Sequence, residues 1–213
     1  IAANHNGDLN RAKDLIKLCA DSGADAAKFQ HFNAKTIISK DGFSKFKNKL
    51  SHQKSWKKSV YEVYEDASLN LDWTFELKEE CKKNNIDFFT SPYSFELVDY
   101  VNKFVPAYKI GSGDITWKDI IEHIAKKNKP VILATGASNS KEVDNAISWI
   151  KKINSKLAVL QCNTNYTGSR VNFNFINLNY LKILKKKYKN MIVGLSDHTP
   201  GDVTVLGAIA LGA

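Results

Sequence analysis

Short apolar runs alternate along this chain with longer stretches whose apolar residues recur at helical spacing, and nearly every run ends in a polar cluster. Leu9, Ala12, Leu15, Ile16 and Cys19 share one helical face, and Ser22-Gly23 closes that helix. Residues 24–29 read as a strand that delivers Lys28 and Gln30, two positions apart, to the same side. Residues 31–66 are rich in Lys, Ser and aromatics and show no clear period. Such a segment is long for a plain loop and predicts an excursion with short helical pieces, in the manner of a lid. Regularity returns with a helix over 71–84, a strand over 86–89, a helix over 95–103, a strand over 107–110 and a helix over 117–127. Lys129-Pro130 leads into a strand over 131–134, and Asn139 with Glu142 marks a helix whose apolar stripe is Val143, Ala146, Ile147 and Ile150. A strand over 157–160, a helix over 173–189, a strand over 191–195 and a helix over 201–211 complete the series.

With Ile1-Ala2-Ala3 counted as the end of a strand, the chain reads as seven strand-then-helix units without hairpin signals. That pattern means a parallel sheet covered by helices. The polar clusters sit just after strands: Lys28 and Gln30, Thr90 and Ser91, Lys109 and Ser112, Thr135, Gln161 and Asn163, Asp197 and His198. In a (β/α)8 barrel such ends converge on the C-terminal face. An open doubly wound sheet gathers fewer of them, and no G-x-G-x-x-G follows the first strand. The expected architecture is an α/β (β/α)8 TIM barrel. Residues 1–213 would form one partial catalytic domain, with the eighth strand and its helix outside the given chain.

Composition narrows the partners. The net charge of +9 suggests nucleic acid, yet Arg11 and Arg170 are the only arginines, whereas base and phosphate readers lean on the bidentate guanidinium. The pairs Lys57-Lys58, Lys82-Lys83 and Lys126-Lys127 and the run Lys185-Lys186-Lys187 fall on predicted helix ends or polar faces, where cations suit the macrodipole. A solvated surface without a nucleic-acid partner is expected, its mild positive field drawing anionic substrates. No apolar run approaches the ~20 residues of a membrane span, and the start lacks a basic-plus-apolar leader. Three cysteines, an odd number without metal spacing, fit reduced thiols. The expected location is cytoplasmic.

The most chemically loaded stretch is Ala107-Tyr108-Lys109-Ile110-Gly111-Ser112-Gly113-Asp114. An apolar approach carries a Lys, then two glycines flank a hydroxyl, then comes a carboxylate. Thr116-Trp117-Lys118-Asp119 reads as a capping box opening the next helix. Either this is ordinary turn chemistry or a phosphate site, with backbone N–H groups, the helix N-terminus, Lys109 and Ser112 all facing an anion. With Lys28, Ser91, Thr135 and Ser196 the strand ends would make a ring of cations and hydroxyls suited to a substrate bearing phosphate and carboxylate. Each lysine also admits a structural role beside a barrel carboxylate, or a Schiff-base role, since a buried Lys loses its proton readily. His198 reads as a metal ligand, a general base or neither; His5 is less determinate.

Taken together, the motifs resemble those of the sialic acid (N-acetylneuraminate or nonulosonate) synthase family. The matching stretches, in family order, are Asn4-His5-Asn6-Gly7, Gly23-Ala24-Asp25 through Lys28-Phe29-Gln30, Thr90-Ser91-Pro92-Tyr93, Pro106-Ala107-Tyr108-Lys109-Ile110-Gly111-Ser112-Gly113, Ala134-Thr135-Gly136 and Gly194-Leu195-Ser196-Asp197-His198-Thr199. The resemblance implies condensation of phosphoenolpyruvate with an N-acetylated aldose, an N-acetyl hexosamine of the N-acetylmannosamine type, to give a nine-carbon 2-keto acid and phosphate. It implies a divalent metal, Mn²⁺ foremost with Mg²⁺ or Co²⁺ as alternatives, that polarises the sugar aldehyde. Carried over residue by residue, Lys28, Ser91, Lys109, Ser112 and Ser196 would hold phosphoenolpyruvate, with Thr135 and Asn163 in the same substrate-binding set. Gln30, Asp114 and Tyr166 would face the sugar, and His198 would be one of two metal histidines. A full-length homodimer and a C-terminal antifreeze-like domain beyond Ala213 are implied as well.

The chain departs from the family pattern in places. No Glu precedes the Asn-His-Asn-Gly loop, Asp114 stands where Glu is common, Ala134 replaces a frequent Ser, and Thr164 sits where Asn is expected. The same chemistry on legionaminic or pseudaminic precursors is the nearest alternative. A Schiff-base aldolase and a catalytically degenerate barrel are the others.

Overall fold

The computed structural model describes residues 1–45, 53 and 56–213. It falls into two compact units, residues 1–108 and 109–213. In the first, helix α1 (Leu9–Asp21) starts where the Asp8 carboxylate accepts the N–H groups of Asn10 and Arg11, at 2.8 and 3.1 Å. Gly23, at φ +79°, turns the chain away from it. Strand β1 (Ala26–His31) alternates strictly: Ala27, Phe29 and His31 are buried, and Lys28 and Gln30 share the other side. The short helices α2 (Ala34–Ile37), α3 (Lys40–Lys45) and α4 (Val60–Ala67) occupy the aperiodic stretch. They are the expected helical pieces, and the middle of the anticipated lid lies outside the described residues. Helix α5 (Trp73–Lys83), strand β2 (Asp87–Pro92), helix α6 (Phe95–Val101) and strand β3 (Tyr108–Ile110) follow. Strand β1 pairs with β2 in parallel, with Gln30 opposite Ser91, and Thr90 of β2 is opposite Tyr108 of β3. Ala12 and Ile16 of α1, Phe29, Leu77, Cys81, Val98, Val101 and Tyr108 form this unit's core.

The second unit continues from β3 through a 3₁₀ turn (Ser112–Asp114) into helix α7 (Lys118–Ala125), strand β4 (Val131–Ala134), helix α8 (Ser140–Lys151) and strand β5 (Leu157–Cys162). A 3₁₀ stretch (Arg170–Phe175), helix α9 (Asn179–Lys187), strand β6 (Ile192–Ser196) and helix α10 (Val203–Ala210) end it. Strands β4, β5 and β6 pair in parallel, with Ala134 opposite Leu160 and Cys162 opposite Ser196. The strand order β1-β2-β3-β4-β5-β6 is the order of the sequence. At α8 the Asn139 and Glu142 side chains and backbones exchange hydrogen bonds, the reciprocal cap the sequence predicts. Asn139→Ala should cost about 1 kcal/mol, read as a lowered melting temperature with folding otherwise intact.

Four sequence expectations are corrected. Residues 1–7 form turns rather than a strand, so the described residues hold six strands, not seven. Ala2, inside the expected strand end, has a φ of +52°, which a strand does not accommodate; the loop expected over residues 4–7 does form. Strands β1, β2 and β5 each run two or three residues further than expected, because Gln30, Thr90, Ser91 and Gln161 continue the ladder as polar strand residues. The helix expected over 173–189 is a 3₁₀ stretch followed by the shorter α9; Asn172, Asn174 and Asn177 are weak helix formers. The capping box at Thr116 does not form. Trp117 N–H donates to the Asp114 carbonyl at 2.8 Å and Lys118 N–H to Thr116 at 3.0 Å, so Trp117 takes the cap position without a side-chain bond.

Candidate functional site

The first unit carries Lys28, Gln30, Ser91 and the Tyr93 hydroxyl at the ends of β1 and β2. Gln30 Nε2 donates to Tyr93 Oη at 2.9 Å. Ser91 is buried, and burial pulls the Lys28 ammonium pKa below its ordinary value. On the opposite face of β1, His31 is fully buried between Thr90 and Thr74. The Thr74 hydroxyl gives its proton to the Leu71 carbonyl, so it accepts from His31 Nε2–H, and His31 Nδ1 accepts from Thr90. The ring is thereby fixed in one neutral tautomer, and burial pushes its pKa down to about 4. His5 is also buried. Its Nδ1 accepts the Gly7 N–H, its ring meets Trp73 edge-on at 6.0 Å, and burial lowers its pKa. The loop histidine is therefore built into a turn.

The second unit gathers most of the remaining candidates. Lys109 and Ser112 are buried at the end of β3, with Lys109 Nζ donating to the Ile110 carbonyl at 3.3 Å. Burial raises the Asp114 carboxyl pKa to about 6, with the Lys109 charge acting against that rise. The Thr164 hydroxyl, from the loop after β5, donates to Ser112 Oγ at 2.8 Å. Burial raises the Tyr166 phenol pKa, and a hydrogen bond with Ser112 opposes the shift. The Tyr166 ring lies against His198, with centroids 4.4 Å apart and planes inclined by 59°. Thus a chain of contacts runs from Thr164 through Ser112 and Tyr166 to His198, and the Lys109 and Asp114 charges act on each other beside it.

Other expected members stand apart from that chain. The Thr135 hydroxyl donates to the Leu160 carbonyl at 3.1 Å, so its proton is engaged with β5. Ser196 ends β6 opposite Cys162. Next to it, Asp197 accepts the N–H and hydroxyl of Thr199, which shapes the turn that presents His198. Gln161 Oε1 and Asn163 Nδ2 are buried without a hydrogen-bond partner.

Sequence reasoning did not assign His31 or the contact partner of Thr164. His31 continues the buried face of β1 in period two, a signal cut short by ending the strand at Phe29. Gly136 matters for the same loop, since a Cβ there would overlap the Thr164 hydroxyl and lie 3.1 Å from the Cys162 carbonyl. Among the described residues no group of three or more His, Cys, Asp or Glu side chains is placed to hold a metal ion, and no helix is long and apolar enough to cross a membrane.

Comparison with known proteins adds an independent line. The NeuB family pattern matches residues 15–213. The N,N'-diacetyllegionaminic acid synthase of Campylobacter jejuni is 40% identical over 99% of this chain and 62% of its own length. The pseudaminic acid synthase of Helicobacter pylori is 35% identical over 100% and 62%. The chain thus spans less than two thirds of these curated relatives. Among solved structures, the N-acetylneuraminic acid (sialic acid) synthetase of Leptospira borgpetersenii superposes with a TM-score of 0.86 at 30% identity, covering 100% of this chain and 68% of that one.

Proposed function

Because the chain belongs to the NeuB family, we propose that it is the catalytic α/β part, a (β/α)8 barrel, of a synthase that joins phosphoenolpyruvate to an N-acetylated aldose in surface-polysaccharide biosynthesis. The observation that carries this reading is the placement of buried Lys109 and Ser112 at the end of β3 with Asp114 in the turn that follows, Ser112 held by Thr164, and Tyr166 against His198. It offers a buried cation and a hydroxyl donor to an anion, and beside them a carboxylate and a phenol to a polyol. Phosphoenolpyruvate, sugar and water would give the 2-keto acid and inorganic phosphate. The enol carbon attacks the sugar aldehyde, water adds to the resulting cationic carbon, and phosphate leaves with its bridging oxygen.

In that scheme Lys109, Ser112 and Ser196 hold the carboxylate and phosphate of phosphoenolpyruvate, while Asp114 and Tyr166 orient the sugar hydroxyls. An anion close to Lys109 offsets the cost of keeping that side chain buried and charged. For the first unit the roles follow from the motif match: Lys28 and Ser91 toward phosphoenolpyruvate, Gln30 toward the sugar. No covalent enzyme intermediate is needed, so neither lysine is called upon as a Schiff base. His198 is the proposed ligand of a divalent metal, Mn²⁺ foremost, which when bound would polarise the aldehyde as a Lewis acid. A single imidazole does not make a metal centre. The legionaminic and pseudaminic acid relatives favour a 2,4-diacetamido sugar as the second reading of the acceptor.

The test is phosphate release from phosphoenolpyruvate by the intact protein, with and without Mn²⁺, across N-acetylmannosamine and its 2,4-diacetamido relatives. Release that requires one of these sugars establishes the reaction and names the acceptor. Bound phosphoenolpyruvate with no release for any sugar would reduce the protein to a binding module.

A further inference from the structure

We infer that Thr164 is a positioning residue for Ser112: it fixes the serine hydroxyl so that its proton points to an anionic oxygen of the bound substrate. The inference rests on the anionic substrate proposed above and adds to it a residue that no motif assigns. A serine hydroxyl rotates freely and gives its single proton to whichever acceptor is nearest. Here the Thr164 hydroxyl donates to Ser112 Oγ at 2.8 Å and occupies one of its lone pairs, which leaves the Ser112 proton for a different acceptor. Ser112 is buried, so solvent does not compete for that proton; without substrate it goes to the neutral Tyr166 phenol oxygen, a weaker acceptor that a charged substrate oxygen displaces.

The approach of the Thr164 loop depends on a bare backbone at Gly136. A methyl group there would overlap the Thr164 hydroxyl and would also crowd the Cys162 carbonyl, 3.1 Å from the same point. Glycine at 136 and a short hydroxyl at 164 therefore form a matched pair. The first makes the space, and the second uses it to reach Ser112.

The experiment measures phosphoenolpyruvate affinity by calorimetry, with KM and kcat where turnover is seen, for the intact wild type, Thr164→Val, Thr164→Ser and Gly136→Ala. Thr164→Val keeps the shape and removes the donor. It should weaken phosphoenolpyruvate about tenfold, the worth of one oriented hydrogen bond to a charged oxygen, with kcat changed less than KM. Thr164→Ser should restore affinity, and Gly136→Ala should copy Thr164→Val by displacing the hydroxyl. Adding Thr164→Val to Ser112→Ala should cost nothing further. Unchanged affinity in Thr164→Val, or an equal loss with and without Ser112, overturns the inference. A wild type that does not bind phosphoenolpyruvate overturns the parent reading instead. Inorganic phosphate then serves as the probe, and equal phosphate affinity in wild type and Thr164→Val, including none in either, overturns the role of Thr164. Thermal melts of every variant separate loss of fold from loss of orientation.

Discussion

Asp114→Asn should give a protein that melts higher at neutral pH and condenses phosphoenolpyruvate at least about a hundredfold more slowly. Both effects come from one buried carboxyl whose pKa stands at about 6 against an ordinary 3.8, chiefly through burial. Between those values the folded chain keeps a proton that the unfolded chain has released. Stability therefore falls as pH rises through that window, and the penalty is complete above about pH 6. A rise of that size corresponds to about 3 kcal/mol at most. Asn keeps the shape and removes the charge, so much of that penalty should be recovered as a higher melting temperature. The same substitution removes the carboxylate proposed to face the sugar, at the scale expected for a positioned charged group. In the wild type the activity should rise through a limb near pH 6, and the Asn variant should lack it. A variant no more stable than wild type at pH 7.5 would contradict the burial argument; full activity would contradict the role.

His31→Ala should be the most destabilising single change among the strand-end residues, on the order of 3 kcal/mol by denaturant or thermal unfolding. It opens a cavity between β1, β2 and α5 and strands the hydroxyls of Thr90 and Thr74, each of which loses a buried partner. The imidazole also sets the response to acid. Its pKa of about 4 lies below the ordinary 6.5, so the unfolded chain binds a proton that the folded chain refuses. Stability is lost as pH falls from 6.5 toward 4, by about 3 kcal/mol over the window. Asp114 works in the opposite sense over nearly the same range, so acidification relieves one group while it burdens the other. Wild-type stability should be nearly flat between pH 6 and 4. Asp114→Asn should fall steeply there, and a His31→Gln variant should gain stability. Parallel pH profiles for the three proteins would show that neither group controls the acid response.

The parallel α/β class and most element positions were legible because strands and helices alternate in period as well as in composition. Residues 131–134 read as the strand that forms, and the Asn139 and Glu142 pair as the cap that forms. The boundaries at Gln30, at Thr90 and Ser91, and at Gln161 were not legible, because hydrophobicity stops before the backbone ladder does. The polar ends that mark the candidate site are also what shortened the strands when read by apolar runs. Lys109, Ser112 and Asp114 stood out through their glycine-flanked spacing. Their link to Tyr166 and His198 did not, since a ring contact between residues 32 positions apart leaves no local pattern. Thr164 looked like a family departure, and its bond to Ser112 depends on backbone approach at Gly136, which only coordinates reveal.

The strand order also bears on how the chain is made. Each strand lies beside the one that precedes it in sequence, so whenever a strand leaves the ribosome its hydrogen-bonding neighbour has already been synthesised. From β2 to β6 no strand waits for a partner made out of turn, as it would in a sheet with shuffled order; only the outer edge of β1 does, and in the proposed barrel the last strand closes it. Growth can proceed by adding one strand and its covering helix at a time, with little apolar edge exposed between additions. An extension past α10 would then dock on a sheet that is already assembled, which is the order in which a nascent protein is best shielded from its neighbours.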